Sequence, residues 1–256
     1  WPGLIDAGSV VGLFEVGSLR ETQDFSDSAT HQPELRTSVA LHPDSELIPV
    51  TRAAGVLSAY VQPDGGTISG QGCLVELDGW VPPEMVLLDK VALNINLPRV
   101  PNLSPELLAR FTTPGNDPQK RRKETLEAIK EQFQRALAYD KVVTESKAKR
   151  LASPAPDPRL TALAPYAKGE KPVIFVANSR GQILDALSLT KELKLKAIIS
   201  GGLEAWKVAK ELKAANVPVL IGGTLRQPGD EHDPADAAYA NPARLSESGV
   251  KFAIRS

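Results

Sequence analysis

Cysteine is almost absent from this 256-residue chain, which carries Cys73 alone. A lone thiol excludes an internal disulfide framework and any multi-cysteine zinc or iron–sulfur site, while leaving the compartment open. Long apolar runs are missing too: none approaches the roughly 20 residues that span a bilayer. Neither sign of charge is in excess, since 30 Lys+Arg stand against 31 Asp+Glu for a formal net charge of -1. No overall basic field therefore draws the chain to nucleic acid or to an anionic membrane, and neither partner is expected. An initiator Met and a signal-type leader are lacking as well, and Val250 to Ser256 reads as a strand with nothing packed after it. The chain is thus expected to be a segment of a longer protein.

What is present is enough apolar material for a sizeable core, 42% of residues. The length suits one large α/β domain or two ordinary ones. Leu4-Ile5 reads as a short strand that delivers Asp6 to a sheet edge, and the glycines at 8, 12 and 17 punctuate the loop-rich stretch after it. Ser45 is placed to cap a helix through Ala54, with Gly55 as its stop, and Val56 to Val61 reads as a buried strand. A strand, a helix and a strand in that order favour parallel pairing. Pro63-Asp64-Gly65-Gly66 marks a turn, Gly70-Gln71-Gly72-Cys73 a flexible patch, and Val91 to Leu97 another strand.

Residues 99 to 170 change character. Positions 118 to 150 form a charged helical run with Leu126, Ile129, Phe133, Leu137 and Tyr139 at helical spacing, broken by Ser153-Pro154-Ala155-Pro156-Asp157-Pro158. The whole stretch reads as a helical insertion between strands. Beyond it the pattern is regular: a strand at 172 to 176, a helix at 180 to 193, a strand at 197 to 199, a helix at 203 to 214 and a strand at 217 to 221. A short helix at 244 to 248, with Gly249 as its cap, precedes the strand at 250 to 254. Successive β-then-α units mean a parallel sheet with right-handed crossovers. Periodicity does not separate an open doubly wound sheet from a (β/α) barrel.

The opening Pro2-Gly3-Leu4-Ile5-Asp6-Ala7-Gly8-Ser9-Val10 resembles the first-strand motif of the metal-dependent amidohydrolases, Pro-Gly-(Leu/Phe)-Ile-Asp-x-His-x-His. Ile48 to Val56 resembles the family's helix, Gly and strand near the second barrel strand. Gly65-Gly66-Thr67-Ile68-Ser69-Gly70-Gln71-Gly72 is similar to a stretch of imidazolonepropionase-like members. The resemblance implies an α/β, TIM-barrel-like domain over residues 1–256, of metal-dependent hydrolase type, incomplete because it lacks the family's small β-sandwich. It also implies hydrolysis of C–N bonds in cyclic amides or amidines, with zinc or another divalent metal as the cofactor if that chemistry is retained.

The same resemblance shows where the ligands should stand. At the two first-strand histidine positions this chain has Gly8 and Val10, after the strand at 172 it has Val176-Ala177-Asn178, and Gly201 stands where His precedes Gly-x-Glu-Ala. A final aspartate would fall near or beyond Ser256. No metal ligand set is therefore expected, and two readings stay open: an amidohydrolase-related protein without the standard metal centre, or a non-catalytic relative. The latter would bind a small molecule, form a homo-oligomer or serve as partner subunit of an active paralogue.

Candidate site residues follow from strand ends. Asp6 could act as a base or ligand, or hydrogen-bond the amides of the next loop. Ser9 has no His–Asp pair in register and suits a loop cap. Asn178, Ser179 and Arg180 lie between a strand and a helix, where an anion can sit on backbone amides, although capping explains the first two equally well. Ser200-Gly201-Gly202 and Gly222-Gly223-Thr224 are glycine-rich turns without a complete phosphate-loop pattern. Asp6, Ser9, Asn178, Arg180 and Ser200 are thus the ligand-binding candidates, Asp6 and Asn178 the catalytic ones.

The remaining features have plainer readings. Cys73 is either an exposed thiolate or an inert apolar residue. Glu231-His232-Asp233 reads as a solvated loop rather than a metal cluster, because neighbouring residues cannot all face one ion. His31 and His42 lack sequence partners. Lys120-Arg121-Arg122-Lys123, followed by Glu124, Glu127 and Glu131, reads as a solvated helix face.

Overall fold

The computed structural model describes residues 2–27, 29–100, 117–150, 152, 154–228 and 232–256. Eight strands form one sheet in chain order: β1 (Leu4–Ser9), β2 (Val56–Val61), β3 (Ile68–Glu76), β4 (Val86–Asn96), β5 (Pro172–Ala177), β6 (Lys196–Gly201), β7 (Val219–Ile221) and β8 (Phe252–Ile254). β1 pairs with β2 in parallel, and β4 to β8 are parallel throughout. Only β3 runs against its neighbours. The first and last strands meet: Arg255 Nη1 donates to the Gly8 carbonyl at 3.1 Å, and the Ser256 amide donates to Asp6 Oδ1 at 3.1 Å. The result is an α/β, TIM-barrel-like sheet, nearly closed, with one reversed strand.

β3 corrects the expected flexible patch. Gly70-Gln71-Gly72-Cys73 is strand, buried across all four residues. The glycines serve close approach rather than mobility: a Cβ at Gly72 would overlap the Tyr60 ring, and one at Gly70 would lie 2.9 Å from the Leu35 carbonyl oxygen. β4 likewise starts at Val86, earlier than the apolar run suggests, because its first half pairs with β3.

Eight helices accompany the strands among the described residues: α1 (Thr37–Ala40), α2 (Leu47–Ala53), α3 (Pro82–Met85), α4 (Pro118–Lys149), α5 (Pro158–Ala167), α6 (Arg180–Leu193), α7 (Ala209–Ala215) and α8 (Ala237–Glu247). Their ends follow capping chemistry. Asp117 and Asp157 accept from amides of the first turns of α4 and α5, each with proline at the first helical position. Ser45 Oγ accepts the Leu47 amide at 3.3 Å at the start of α2. α4 and α5 stand between β4 and β5, where the helical insertion was expected. They lie in the crossover that a parallel β4–β5 pair requires, and Ile129, Phe133, Leu163 and Tyr166 pack in the same core as Val173 and Phe175. Residues 101–116 of that stretch lie outside the described residues. In α4 it is Ala136, not Leu137, that faces the core: Leu137 is 39% exposed. The expected helix at 203 to 214 is a 3-10 turn, Ala205–Val208, followed by α7, and α8 starts well before Arg244.

The core has two outer layers and an interior. Helices α4 to α6 cover the outward face of the sheet around β4 to β6, and Val11, Leu13, Leu41 and Ile48 cover Ala59, Val61, Cys73 and Val75 on the outward face of β2 and β3. Inside, Tyr60, Ala92 and Ile174 pack with Ile198 and Leu220. Since successive side chains alternate across a strand, these residues fix the parity of the inward face.

Candidate functional site

Two residues further along the same strands, the inward face turns polar. By alternation it presents Gln62 after β2, Asn94 on β4, Ser200 on β6, Gly222 after β7 and Arg255 after β8. This is the C-terminal end of the parallel strands, where barrels of this kind hold their functional groups. Gln62 is 7% exposed, and Asn94 and Ser200 are 0% exposed. Asn94 Nδ2 donates to the Tyr60 hydroxyl at 2.9 Å. Gln62 Oε1, Asn94 Oδ1, Ser200 Oγ and Arg255 Nε are buried with no hydrogen-bond partner.

Arg255 dominates the electrostatics. A Cβ built on Gly8 would lie 2.7 Å from Arg255 Cδ, 3.3 Å from its Nη1 and 3.5 Å from Gln62 Oε1. A Cβ on Gly222 would lie 3.3 Å from Arg255 Nε. The arginine side chain thus covers two glycines whose lack of a side chain admits it. Burial pulls its pKa below the usual guanidinium value, the Asp6 and Asp64 charges hold it up, and Arg226 pushes the same way as burial.

Asp6 accepts the Gly8 amide at 3.1 Å as well as the Ser256 amide and hydroxyl, so its oxygens tie the first strand to the last. Ser9 Oγ accepts the Val11 amide at 3.1 Å. Asp64 Oδ1 accepts from the Gly65 amide at 2.7 Å and from Asn96 Nδ2 at 3.0 Å. Asn178 sits above Gly201, whose φ is +100°, and its amide fills the space a side chain there would need.

The start of α6 is already satisfied from within the chain. Gln182 Oε1 accepts the amides of Asn178 and Ser179, both at 3.1 Å, Ser179 Oγ accepts the Gln182 amide, and Glu204 Oε2 accepts the Arg180 amide at 2.6 Å. A carboxylate of the protein itself occupies the place sequence reading offered to an anion. Ser200, by contrast, faces the barrel interior with its hydroxyl unpaired.

Other candidates lie elsewhere. Cys73 is fully buried, accepts a hydrogen bond from Thr37 Oγ1 at 3.2 Å, and has its thiol pKa pushed up by burial. Asp233 is not a solvated loop residue: it is 8% exposed at the side chain and pairs with Lys207 at 2.6 Å, while Glu231 lies outside the described residues. His42 pairs with Asp24 at 2.7 Å, and His31 bridges to β3 at Ile68. In the basic run, Arg122 grips Asp185 through two bonds of 2.5 and 2.6 Å.

A divalent metal does not fit the mouth. It needs imidazoles and carboxylates around one point, and no group of three or more His, Cys, Asp or Glu that could hold an ion exists among the described residues. The spaces over Gly8 and Gly201 are taken by the Arg255 guanidinium and the Asn178 amide.

Sequence reading found Ser200 but passed over Gln62, Asn94 and Arg255. The signal was available as polar residues in inward register at strand ends, and it becomes legible once the parity of each strand is known.

No protein-family model matches the chain, and no curated protein matches it. Among solved structures, an amidohydrolase from Thermotoga maritima MSB8 superposes with a TM-score of 0.83 at 22% identity, over 100% of this chain and 65% of that one. The chain therefore has an amidohydrolase-like fold and spans less than two thirds of the length of that structure.

Proposed function

We propose that this chain is an amidohydrolase-related barrel, of the class built to hydrolyse C–N bonds of cyclic amides and amidines, that works without the standard metal centre and binds a small molecule at its mouth. The Arg255 side chain over Gly8 carries the reading. A guanidinium in van der Waals reach of the first-strand ligand position repels a divalent cation and blocks an imidazole there. Asn178 over Gly201 repeats the substitution at β6. The residues left at the mouth bind and orient; none of them is paired as nucleophile and base.

The test is metal content by mass spectrometry after equilibration with zinc, manganese, nickel or iron, together with hydrolysis assays on cyclic amides. Less than about a tenth of an equivalent bound, with no metal-stimulated hydrolysis, is expected, because the donor set is incomplete. A stoichiometric ion or a metal-dependent turnover overturns the reading.

A second reading, association with a second copy or with an active paralogue, is favoured by apolar strand surface left uncovered: Leu4 and Ile5 of β1 are 60% and 68% exposed and Ile254 of β8 is 56% exposed. Sedimentation velocity with and without such a paralogue distinguishes it from a monomeric binder.

A further inference from the structure

Helices α4 and α6 face each other across a cleft of about 340 Å³, and none of the mouth residues lines it. The α4 wall is one helix face, with lining positions three, four and seven residues apart from Gln119 to Lys130, and the α6 wall is Asp185, Ser188 and Leu189. Two ion pairs clamp the helices together at either end. Arg122 holds Asp185 through bonds of 2.5 and 2.6 Å, and Lys130 holds Glu192 at 2.8 Å. The two clamps stand about 12 Å apart along α4, and the cleft lies between them. Leu126 and the buried Leu189 supply its apolar surface. Its charges are answered within the chain, with one exception. Both Asp185 oxygens accept from Arg122, whose Nη1 turns to Gln119 Oε1 at 3.4 Å, and Glu127 pairs with Lys130 at 3.2 Å. Lys123 makes no ion pair, and Ser188 no side-chain hydrogen bond, among the described residues.

We propose that the cleft between α4 and α6 binds a small amphipathic monocarboxylate, its carboxylate at Lys123 and Ser188 and its ring or short chain on Leu126 and Leu189. The groups left over in the cleft are an ammonium and a hydroxyl, which donate to an anionic head. A cationic ligand finds no such opening, because Asp185 and Glu127 already hold Arg122 and Lys130. The volume is at the small end of ligand pockets, which run to about 300–1,000 Å³, so the apolar body is a single ring or its equivalent. The site is separate from the mouth and stands whether or not a metal binds there.

Amide chemical shifts of the purified protein, followed by NMR during titration with sodium benzoate at fixed ionic strength, test it. Benzoate is expected to give saturable shifts at residues 122–127 and 185–189. Acetate, the head without the body, should bind about tenfold more weakly for want of the buried ring. Benzamide, the body without the charge, should bind about two- to fivefold more weakly, the size of an exposed charge pair. Lys123→Gln should weaken benzoate by that same factor, whereas Lys141→Gln, farther along α4, should leave it unchanged. Ser188→Phe, at an exposed position, puts a ring of the chain's own into the cleft and should abolish binding with the melting temperature unchanged. Shifts that fail to saturate, or that centre on residues 8, 62, 94 and 200 at the mouth, overturn the proposal. Equal weakening by Lys141→Gln and Lys123→Gln, or benzamide binding as tightly as benzoate, overturns it too.

Discussion

Gly8→Ala is a sensitive probe of the arrangement at the mouth. The added methyl would lie 2.7 Å from Arg255 Cδ, whereas carbon pairs settle at about 3.5–4.0 Å, so the arginine must move by about 1 Å. That movement strains or breaks the 3.1 Å bond from Arg255 Nη1 to the Gly8 carbonyl. Bonds from charged groups contribute about 1.5–3 kcal/mol, and overpacking costs about 1–3 kcal/mol, with much of the two shared here. Gly8→Ala is therefore expected to lose about 2 kcal/mol. Gly8 is not among the glycines with positive φ. In an Arg255→Ala background the same change has nothing to strike and should be neutral or stabilise by about 0.4–1 kcal/mol through the unfolded chain. The double-mutant cycle then gives a coupling of about 2–3 kcal/mol, read from urea midpoints at unchanged m. Additive effects within about 0.5 kcal/mol would show that Arg255 does not fill the space over Gly8, and the blocked ligand position would go with it.

Cys73, buried and without a free thiolate, should resist iodoacetamide in the folded protein and react at a rate set by opening of the structure; rapid labelling under native conditions would contradict its place in β3. Ser179→Ala removes the hydroxyl that accepts the Gln182 amide in the capping box of α6 and should cost about 1 kcal/mol, measured by the same denaturation, while Gln182 Oε1 keeps the backbone amide of residue 179. His31 has its pKa lowered from 6.5, first by burial and then by Arg159. Below that value the unfolded chain takes up a proton the native state refuses, so stability falls as pH drops through it. His31→Gln should flatten urea midpoints across that range, and an unchanged slope would remove His31 as the cause.

Much of the scaffold was legible locally. Val173-Ile174-Phe175 and Ala197-Ile198-Ile199 declare buried parallel strands because both faces of such strands are covered, and Ser179 with Gln182 declares the helix between them. β3 was not legible. Its glycines look like a mobile patch until Tyr60 and Leu35 are known to press against them. Leu137 gave way to Ala136 in the core for a similar reason: spacing names a helix face, and the neighbouring helix and sheet decide its width.

The candidate site divides the same way. Gly8, Val10 and Gly201 carry no side-chain donor atom wherever they fold, and Asn178 carries only an amide, and that much is plain from the sequence. What lies over those positions could not be read from the chain in order. Gly8 and Arg255 stand at opposite ends of it and meet because the sheet curls until β8 reaches β1. Asn178 and Gly201 meet because β5 and β6 pair in register, Ala177 beside Gly201. Residue type determined which donor atoms the strand ends carry; strand pairing and the approach of β8 to β1 decided which side chains came to lie over Gly8 and Gly201.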